Sequence, residues 1–509
     1  MNKNISPVVR LEKEDNVVVA RNEIPVGTYI PDEGITTLQV VPRGHKVATR
    51  FIKKGEQILK YNTCIGYAAE DTQPGTWMHS HNILFDEVDK DYAFSRDYKP
   101  VEIVPESEQP TFMGIVRSDG RVATRNVIIV PIAGNCAATV ARKICNYFDE
   151  ERMAQWPNVD AVVPMIHGIG CGMEQSGEPM DLLRRTISGS VANPNVAGAL
   201  VCALGCERNN IDKMFEQEGM VESKMLRRLV MQEVGGTRKS IELGIHHIKE
   251  MLEEANKVER VPVPVSKLCV ALQCGGSDGF SGLSANPSLG KAADKLVKNG
   301  ATVILAEISE LFGVEHTLTC RSKTPEIGRK FVERLDWWLE YDAGKDCQIN
   351  GKVSPGNSAG GLSNVIDKSL GGSKKGGSTP VNGMYKYAER VTEKGLVIMD
   401  TPGYDPVSIT GEFAGGATLC CFTTGRGSCF GTLHCPTIKL ASNTPMYEHM
   451  EEDMDINCGQ IIDGEKSIDE MGDIIFDHIL KVASGERTKS EELGVGPDEF
   501  VPWPIGVMA

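Results

Sequence analysis

The sequence predicts a multidomain α/β protein that begins with a small all-β domain. Residues 14–83 consist of short β-rich runs around glycine turns and show no helical period. After residue 112, apolar β runs alternate with helical patterns, which indicates helices covering sheets of largely parallel strands. The length of 509 residues also requires several domains, because one domain usually contains about 100–200 residues.

The all-β domain is predicted over residues 1–85. Its turns are expected at Pro25–Gly27, Lys54–Gly55 and Pro74–Gly75, because glycine adopts the positive φ that such turns need. A polar, acidic segment with three prolines follows at 86–111. This composition predicts an extended connection to the next domain.

The remaining chain is predicted to form two α/β lobes, at 112–260 and 261–509, because the proline-containing stretch 257–266 indicates a boundary. Strands are expected where short apolar runs occur. These runs are Val127–Ile132, Ala161–Ile166, Ala199–Leu204, Leu268–Leu272, Thr302–Ala306 and Leu396–Asp400.

Two helices have clear starting signals. One is expected to begin with Asn286 as its N-cap, and the other at Thr324–Pro325. Segments rich in glycine, serine and lysine at Ser354–Gly361 and Gly371–Ser378 interrupt the pattern. They are predicted to be ordered loops near a site or mobile connectors.

Composition and charge exclude several classes of function. The formal charge of −15 opposes binding to nucleic acid, and no basic patch is visible in the sequence. No apolar run reaches the about 18–20 residues that span a bilayer, and no secretion signal is visible, so a cytoplasmic protein without a membrane partner is expected. The fifteen cysteines are then expected to be reduced thiols, some structural and some ligands.

Four cysteines lie at or just after the ends of predicted strands: Cys136, Cys171, Cys206 and Cys274. Ligands of parallel α/β sheets bind beyond the carboxyl ends of the strands, so the four thiols are expected to meet over one sheet edge. Such a set suits iron, zinc or an iron–sulfur cluster, although it lacks the Cys-x-x-Cys motif. The alternative is that each thiol is a small apolar group in the core.

Three histidines are candidates for the site. In the string WMHSHN, His79 and His81 point the same way if the segment is extended, so both imidazoles can reach one metal or one anionic substrate. The alternative for this pair is a polar end of the β domain that faces solvent. His167 follows a predicted strand and is a candidate for acid–base catalysis, with a structural loop histidine as the alternative.

The glycine-rich loops do not match nucleotide-binding motifs. Gly425–Gly431 is one residue too long for GxGxxG, and Gly371–Ser378 lacks the lysine of GxxxxGK[ST]. Thr423–Gly427 instead places Arg426 among small residues, an arrangement suited to binding a carboxylate through two parallel hydrogen bonds. The alternative is a surface turn with a solvated arginine.

Long strings of the sequence resemble the altronate dehydratase and galactarate dehydratase family of sugar-acid dehydratases. The resemblance covers almost the whole chain, and the N-terminal domain resembles the SAF-type (β-clip) domain of the family. Within the family, the HxHN string at His79–Asn82 and the ExxExFG string at Glu307–Gly313 are more similar to altronate dehydratases. The related sulfolactate sulfo-lyases are usually split over two chains, unlike this one. The strings that carry the resemblance are PRGHK, WMHSHN, LGCE, QCGGSDGFSGLSANP, AEISELFG, SPGNSAGGLSNVIDKSLG and FTTGRG.

The resemblance implies removal of water from a hydroxy acid, here D-altronate giving 2-keto-3-deoxy-D-gluconate. Galactarate dehydratase and a related hydroxy-acid sulfo-lyase are the alternatives. It also implies Fe²⁺, or Mn²⁺. Because iron with cysteine ligands can also form a four-iron cluster with one open iron, such a cluster is the alternative to a single ion. The candidates for proton transfer are His167, Asp278 and Glu307, and those for substrate binding are His79, His81 and Arg426.

Two other classes of function are less consistent with the sequence. A non-catalytic sensor of sugar acids or metal would use the β domain as its working part, but no DNA-reading element accompanies that domain. A nicotinamide-dependent oxidoreductase would carry the dinucleotide fingerprint, which is not matched. The sequence therefore favours an enzyme with a small-molecule sugar-acid substrate, and it leaves open whether the chain forms a homo-oligomer.

Overall fold

The chain folds into an N-terminal β domain followed by two α/β units, as shown by a computed structural model that describes residues 5–86, 91–344, 349–497 and 499–505. This architecture confirms the predicted fold class. Residues 87–90 of the predicted connection lie outside the described residues. Among the helices described, none combines the length and the apolar character needed to cross a membrane.

The N-terminal domain contains only short strands in its described part. They are β1 (Val8–Val9), β2 (Val17–Ala20), β3 (Tyr29–Ile30), β4 (Ile35–Thr36), β5 (Lys46–Ala48), β6 (Gln57–Lys60), β7 (Thr63–Ala68), β8 (Trp77–Met78) and β9 (Ile83–Leu84). The strands pair antiparallel in the orders β1-β2-β5-β8, β3-β4 and β6-β7-β9. Gly27, Gly55 and Gly75 have positive φ, which confirms the three predicted turns.

Parallel strands dominate the rest of the chain, and all six predicted runs form strands. The strands are β10 (Thr111–Val116), β11 (Val122–Ala123), β12 (Val127–Pro131), β13 (Ala161–Met165), β14 (Val196–Ala203), β15 (Leu226–Val230), β16 (Arg260–Pro264), β17 (Cys269–Cys274), β18 (Thr302–Leu305), β19 (Val381–Tyr385), β20 (Gly395–Met399), β21 (Leu419–Thr424), β22 (Thr437–Ala441) and β23 (Ile456–Asn457).

Helices cover these strands. They are α1 (Ala138–Cys145), α2 (Glu150–Met153), α3 (Glu178–Val191), α4 (Ile211–Gln217), α5 (Met231–Val234), α6 (Thr237–Ala255), α7 (Ala285–Lys298), α8 (His316–Thr319), α9 (Pro325–Asp342), α10 (Pro355–Ala359), α11 (Val365–Lys374), α12 (Asp405–Gly415), α13 (Thr444–His449), α14 (Ile468–Ala483) and α15 (Lys489–Glu492).

The first α/β unit is a four-stranded parallel sheet with the order β13-β12-β14-β15. Helices α1 and α6 pack on one face through residues such as Ile144 and Ile248, and α3 and α4 pack on the other through Leu183 and Phe215. With both faces covered, every residue of β12 is buried. This burial explains why its sequence is a continuous apolar run rather than an alternating one.

The second α/β unit is a seven-stranded parallel sheet with the order β19-β20-β18-β17-β21-β22-β23. Its Ile304 and Val397 share one hydrophobic core with Ile129 and Met165 of the first sheet, and Phe413 of α12 lies in the same core. A small antiparallel sheet, β11-β10-β16, joins the two ends of the first unit, and the expected boundary at residue 260 falls inside β16.

The strands of both large sheets begin around one cavity. A cavity of about 730 Å³ is lined by Leu226, Cys269 and Thr302, which begin strands of the two sheets, and by Thr418, which immediately precedes β21. Because the amino ends of both sheets border this cavity, their carboxyl ends point away from it. Ligands of parallel sheets bind at the carboxyl edge, so the site is expected there.

Two local predictions are wrong. Helix α7 begins at Ala285, so Asn286 lies inside its first turn; the Asn286 side chain bonds instead to Thr423 and Gly371, at 2.6 and 3.0 Å. The two glycine-rich segments are largely helical, since they contain α10 and the end of α11. Glycine serves close packing there: a Cβ on Gly282 would lie 3.0 Å from the Cα of Gly371. The predicted start at Thr324–Pro325 is confirmed.

Candidate functional site

The loop Cys274–Gly279, which leaves the central strand β17, organises the carboxyl edge of the seven-stranded sheet. Its glycines allow close approach of other segments: a Cβ on Gly275 would lie 2.4 Å from Oδ2 of Asp405, and one on Gly279 would lie 2.2 Å from the carbonyl oxygen of Gly44. From its first residue to its last, the loop contacts Glu307, Asp405, Arg426, Asn357, Asn443 and Gly44.

Glu307 lies at the end of β18, buried beside Cys274. Its Oε2 accepts hydrogen bonds from Lys375 Nζ at 2.8 Å and from the Cys274 backbone N–H at 3.2 Å, whereas its Oε1 is buried without a partner in the described structure. The backbone of Glu307 has a φ of +62°, which is strained for a residue with a side chain. Such strain often marks a functional position.

Three further charged groups surround Glu307. Lys368 Nζ bonds to Oε1 of Glu310 at 2.8 Å, and the half-buried Asp405 lies beside Gly275. Burial raises the pKa of Asp405 well above its usual range, and the negative charges of Glu307 and Glu310 raise it further. The raised pKa makes Asp405 a candidate for accepting and releasing a proton during catalysis.

The same cluster offers a potential ion site. The sulfur of Cys274 and one carboxylate oxygen each from Glu307 and Glu310 lie within 4.8 Å of one another. However, Lys375 bonds to the Glu307 oxygen that faces the sulfur, and Lys368 bonds to Glu310. Positive charge already reaches both carboxylates, so the cluster is better suited to proton transfer than to holding a cation.

Asp278 occupies a closed network within the loop. Oδ1 accepts hydrogen bonds from the backbone and hydroxyl of Ser281 and from Ser442 Oγ, at 2.8–2.9 Å, and Oδ2 accepts one from Asn443 Nδ2 at 3.0 Å. Burial raises the pKa of Asp278. With both oxygens engaged, Asp278 joins the ends of β17 and β22, which favours a positioning role over proton transfer.

Arg426 is exposed at the end of β21. A Cβ on Gly276 would lie 3.3 Å from the Cβ of Arg426, so the arginine stands next to the same loop as Asp405. The structure thus brings Arg426 and the Glu307 cluster together around Cys274–Gly276.

His79 and His81 of the N-terminal domain have different environments. His79 is buried against α10, with Nε2 at 3.1 Å from Ser358 Oγ, whereas His81 is exposed; their ring centroids are 6.5 Å apart. Burial, together with Lys46 and His45, lowers the pKa of His79 to about 4. His79 is therefore neutral near pH 7, and its Nδ1, which has no partner among the described residues, is a candidate contact for a hydroxyl group.

His167 is also buried, and both its ring nitrogens have backbone partners. Nε2 lies 2.9 Å from the carbonyl oxygen of Ile132, and the N–H of Ile169 donates to Nδ1 at 3.3 Å. Burial lowers the pKa of His167 to about 4. The ring joins the end of β12 to the loop after β13. This arrangement favours a structural role for His167 over acid–base catalysis.

The four predicted cysteine ligands divide between the two sheets. Cys136, Cys171 and Cys206 are exposed on the loops that follow β12, β13 and β14, at the carboxyl edge of the first sheet. Cys274 is buried and ends β17 of the other sheet. The expectation that all four meet at one edge is therefore wrong for Cys274, because its strand pairs with β18 and β21 rather than with β12.

Sequence patterns alone do not identify several charged groups of the cluster. Lys375 lies in the glycine-rich segment Gly371–Ser378, and Lys368 lies three residues before it. Asp405 precedes a proline as an ordinary helix-start residue does. Glu310 offered the best signal, since it stands three residues after Glu307 in the ExxExFG string.

Comparisons with known proteins cover nearly the whole chain. Residues 6–86 match the altronate/galactarate dehydratase SAF domain, 114–256 match the second domain of D-galactarate dehydratase/altronate hydrolase, and 265–508 match the C-terminal domain of D-galactarate/altronate dehydratase. Altronate dehydratase from Bacillus subtilis is 34% identical over 95% of this chain and 96% of its own length. Galactarate dehydratase (L-threo-forming) from Escherichia coli is 34% identical over 96% and 95%. The (2R)-sulfolactate sulfo-lyase subunit beta of Chromohalobacter salexigens is 30% identical over 75% and 95%.

Proposed function

Because the chain belongs to the altronate/galactarate dehydratase family, we propose that it is a hydro-lyase that removes water from a sugar acid. The observation that carries the proposal is the arrangement of Arg426, Asp405 and the buried Glu307 cluster around one loop at the carboxyl edge of the sheet. We further propose D-altronate as the substrate, on the strength of the strings at His79–Asn82 and Glu307–Gly313.

The reaction requires a proton to leave the carbon next to a carboxylate. Arg426 binds the carboxylate and stabilises the negative charge that develops on it. Asp405 accepts the proton from C2, and the hydroxyl group on C3 takes a proton from solvent and departs as water. The resulting enol releases its hydroxyl proton to solvent and gains one at C3, which gives the 2-keto acid. Glu307 acts through Asp405, because its negative charge helps to keep the pKa of Asp405 raised.

The iron that the family resemblance implies has a fitting donor set in the three exposed thiols, Cys136, Cys171 and Cys206. The cluster around Glu307 fits less well because lysines already neutralise it. Bound iron would supply Lewis-acid chemistry toward carboxylate and hydroxyl oxygens of the substrate.

Incubation of the purified protein with a panel of sugar acids tests the function. We expect D-altronate to give a 2-keto-3-deoxy acid, detected by a chemical assay for 2-keto acids, and Asp405→Asn protein from the same preparation to give none. Faster turnover of galactarate under matched conditions would contradict the choice of altronate but retain the dehydratase. No 2-keto acid from any hexonate or hexarate, with metal-loaded protein, would contradict the dehydratase itself.

Replacement of Arg426 by lysine tests how the carboxylate is bound. The guanidinium offers two parallel donors, whereas the ammonium offers a point charge. We expect Arg426→Lys to lower kcat/KM by about 10- to 150-fold, equivalent to about 1.5–3 kcal/mol. Arg329→Lys, at an exposed arginine on α9, is the matched control. Wild-type kinetics for folded, metal-loaded Arg426→Lys would remove this residue from the site.

A further inference from the structure

The exposure of Cys136, Cys171 and Cys206 is unusual for cysteine, which is among the most buried residue types. Within the described chain, only Cys429 is exposed besides these three. The three follow adjacent parallel strands of one sheet, whereas Cys429 belongs to the other unit. Exposure therefore coincides with a position at one sheet edge, where ligands of such sheets bind.

Backbone contacts fix the three loops against one another. The N–H of Asn135 donates to the carbonyl oxygen of Ile169 at 3.2 Å, and the N–H of Asn209 donates to that of Gly170 at 2.9 Å. The Nδ2 of Asn209 reaches the carbonyl oxygen of Ala133 at 3.0 Å. Each contact joins residues one to three positions from a cysteine, so the thiols stand on one rigid platform.

The surroundings of the thiols leave room for a bound group, and two candidate ligands nearby in the described part of the chain, Glu207 and His167, are already engaged. A Cβ on Gly168 or Gly172 would meet nothing within 4 Å, so the space beside Cys171 is open. The two oxygens of Glu207 accept hydrogen bonds from the N–H groups of Leu204 and Gly205. His167, the nearest histidine in sequence, has both ring nitrogens engaged.

The spacing of the sulfurs distinguishes between kinds of metal centre. One ion with bonds of about 2.3 Å can join sulfurs that are at most about 4.6 Å apart. In the described chain, only Cys274, Glu307 and Glu310 form a set with all ligand atoms within 4.8 Å, so the three exposed sulfurs are spread more widely. A cubane binds each cysteine through a different iron and so spans a wider triangle.

We propose that Cys136, Cys171 and Cys206 ligate a four-iron, four-sulfide cluster whose fourth iron has no protein ligand and is open to an external oxygen ligand. This inference specifies the iron centre of the proposed dehydratase and rests on that proposed function. It excludes Cys274 as a ligand, because Cys274 is buried on the other sheet beside Glu307.

Repulsion among the three thiolates favours the binding of a cationic centre at this sheet edge. Three thiolates at one edge repel one another unless positive charge lies between them. Metal binding supplies that charge and releases the thiol protons.

Anaerobic purification and reconstitution with iron and sulfide tests the proposal. We expect about four iron and four sulfide per full-length chain, with the broad visible absorption and the Mössbauer or EPR signature of a cubane. Cys136→Ser, Cys171→Ser and Cys206→Ser should each lose most of the iron and sulfide. Cys429→Ser is the matched control and should retain both, as should Cys274→Ser. Circular dichroism establishes that each variant is folded.

The outcomes separate this proposal from the proposed function. A single iron or zinc without sulfide, or loss of the cluster in Cys274→Ser but not in Cys171→Ser, would overturn the cluster assignment while dehydration could still be observed. A cluster at the three cysteines in protein that dehydrates no sugar acid would support the assignment and contradict the proposed function. Asp405→Asn should keep the cluster and lose turnover, which shows that the two readouts are independent.

Discussion

Asp405→Asn is expected to lower kcat by about 100- to 10,000-fold, the usual contribution of a positioned acid–base group. The substitution keeps the shape of the side chain but removes the carboxylate that accepts the C2 proton. KM should change little, because Arg426 rather than Asp405 holds the carboxylate of the substrate. Steady-state kinetics with the best substrate of the panel measures both parameters. Asp336→Asn, at an exposed aspartate on α9, is the control.

The pH profile of kcat/KM shows whether Glu307 acts through Asp405. Burial and the charge of Glu307 raise the pKa of Asp405, so removal of that charge lowers the pKa. The base is then ionised at lower pH, and the acidic limb of the profile should move to lower pH in Glu307→Gln. A limb that stays in place, in folded protein, would contradict this coupling.

Asp367→Asn is expected to weaken the docking of the N-terminal domain by about 3–5 kcal/mol, the usual cost of breaking a buried ion pair. Asp367 is fully buried and bonds to Lys46 Nζ at 2.7 Å and Lys60 Nζ at 2.8 Å, both in the N-terminal domain. The asparagine leaves two buried ammonium groups without a counter-charge. Denaturant titration, with limited proteolysis of the N-terminal domain, measures the loss.

A triple variant, Lys46→Met, Lys60→Met and Asp367→Leu, is the control for that experiment. It removes all three charges together, so it should recover much of the stability lost by Asp367→Asn. Equal stability of Asp367→Asn and the wild-type protein would show that the charges contribute nothing to docking.

The ion pairs of Asp367 with Lys46 and Lys60 also make the docking of the N-terminal domain depend on pH. Burial opposes ionisation of Asp367, but Lys46 and Lys60 outweigh it and hold the pKa of Asp367 well below its usual range. Because the folded pKa is the lower one, the stabilisation is fully present above the unfolded pKa, about 3.9. It is lost as pH falls from there through the folded pKa.

The strands of both parallel sheets could be predicted from the sequence because strands covered on two faces are continuous apolar runs, as Val127–Pro131 shows. The helical glycine-rich segments could not, because glycine at Gly282 and Gly371 serves close packing rather than a turn. The local sequence pattern also does not show which strands become neighbours in a sheet. For that reason the sequence pattern places Cys274 with thiols that belong to another sheet.

The candidate site was partly predictable for a related reason. Arg426 and Glu307 follow strands and stand out locally, and the three exposed cysteines occupy equivalent positions after adjacent strands. The partners that give Glu307 and Asp405 their chemistry come from distant segments: Lys375 is 68 residues from Glu307. Only the folded chain brings those charges together, so no motif in one segment could show them.

The loop Cys274–Gly279 also bears on how such a protein can evolve. The loop fixes its neighbours mainly through glycine backbone, and the groups nearest the proposed substrate, Arg426 and Asp405, belong to those neighbours. Replacement of a glycine such as Gly275 or Gly279 would push several segments apart at once. Exposed side chains around the loop, by contrast, can be exchanged without moving the backbone. Selection for a new substrate can therefore act on the surrounding side chains while the loop keeps one sequence.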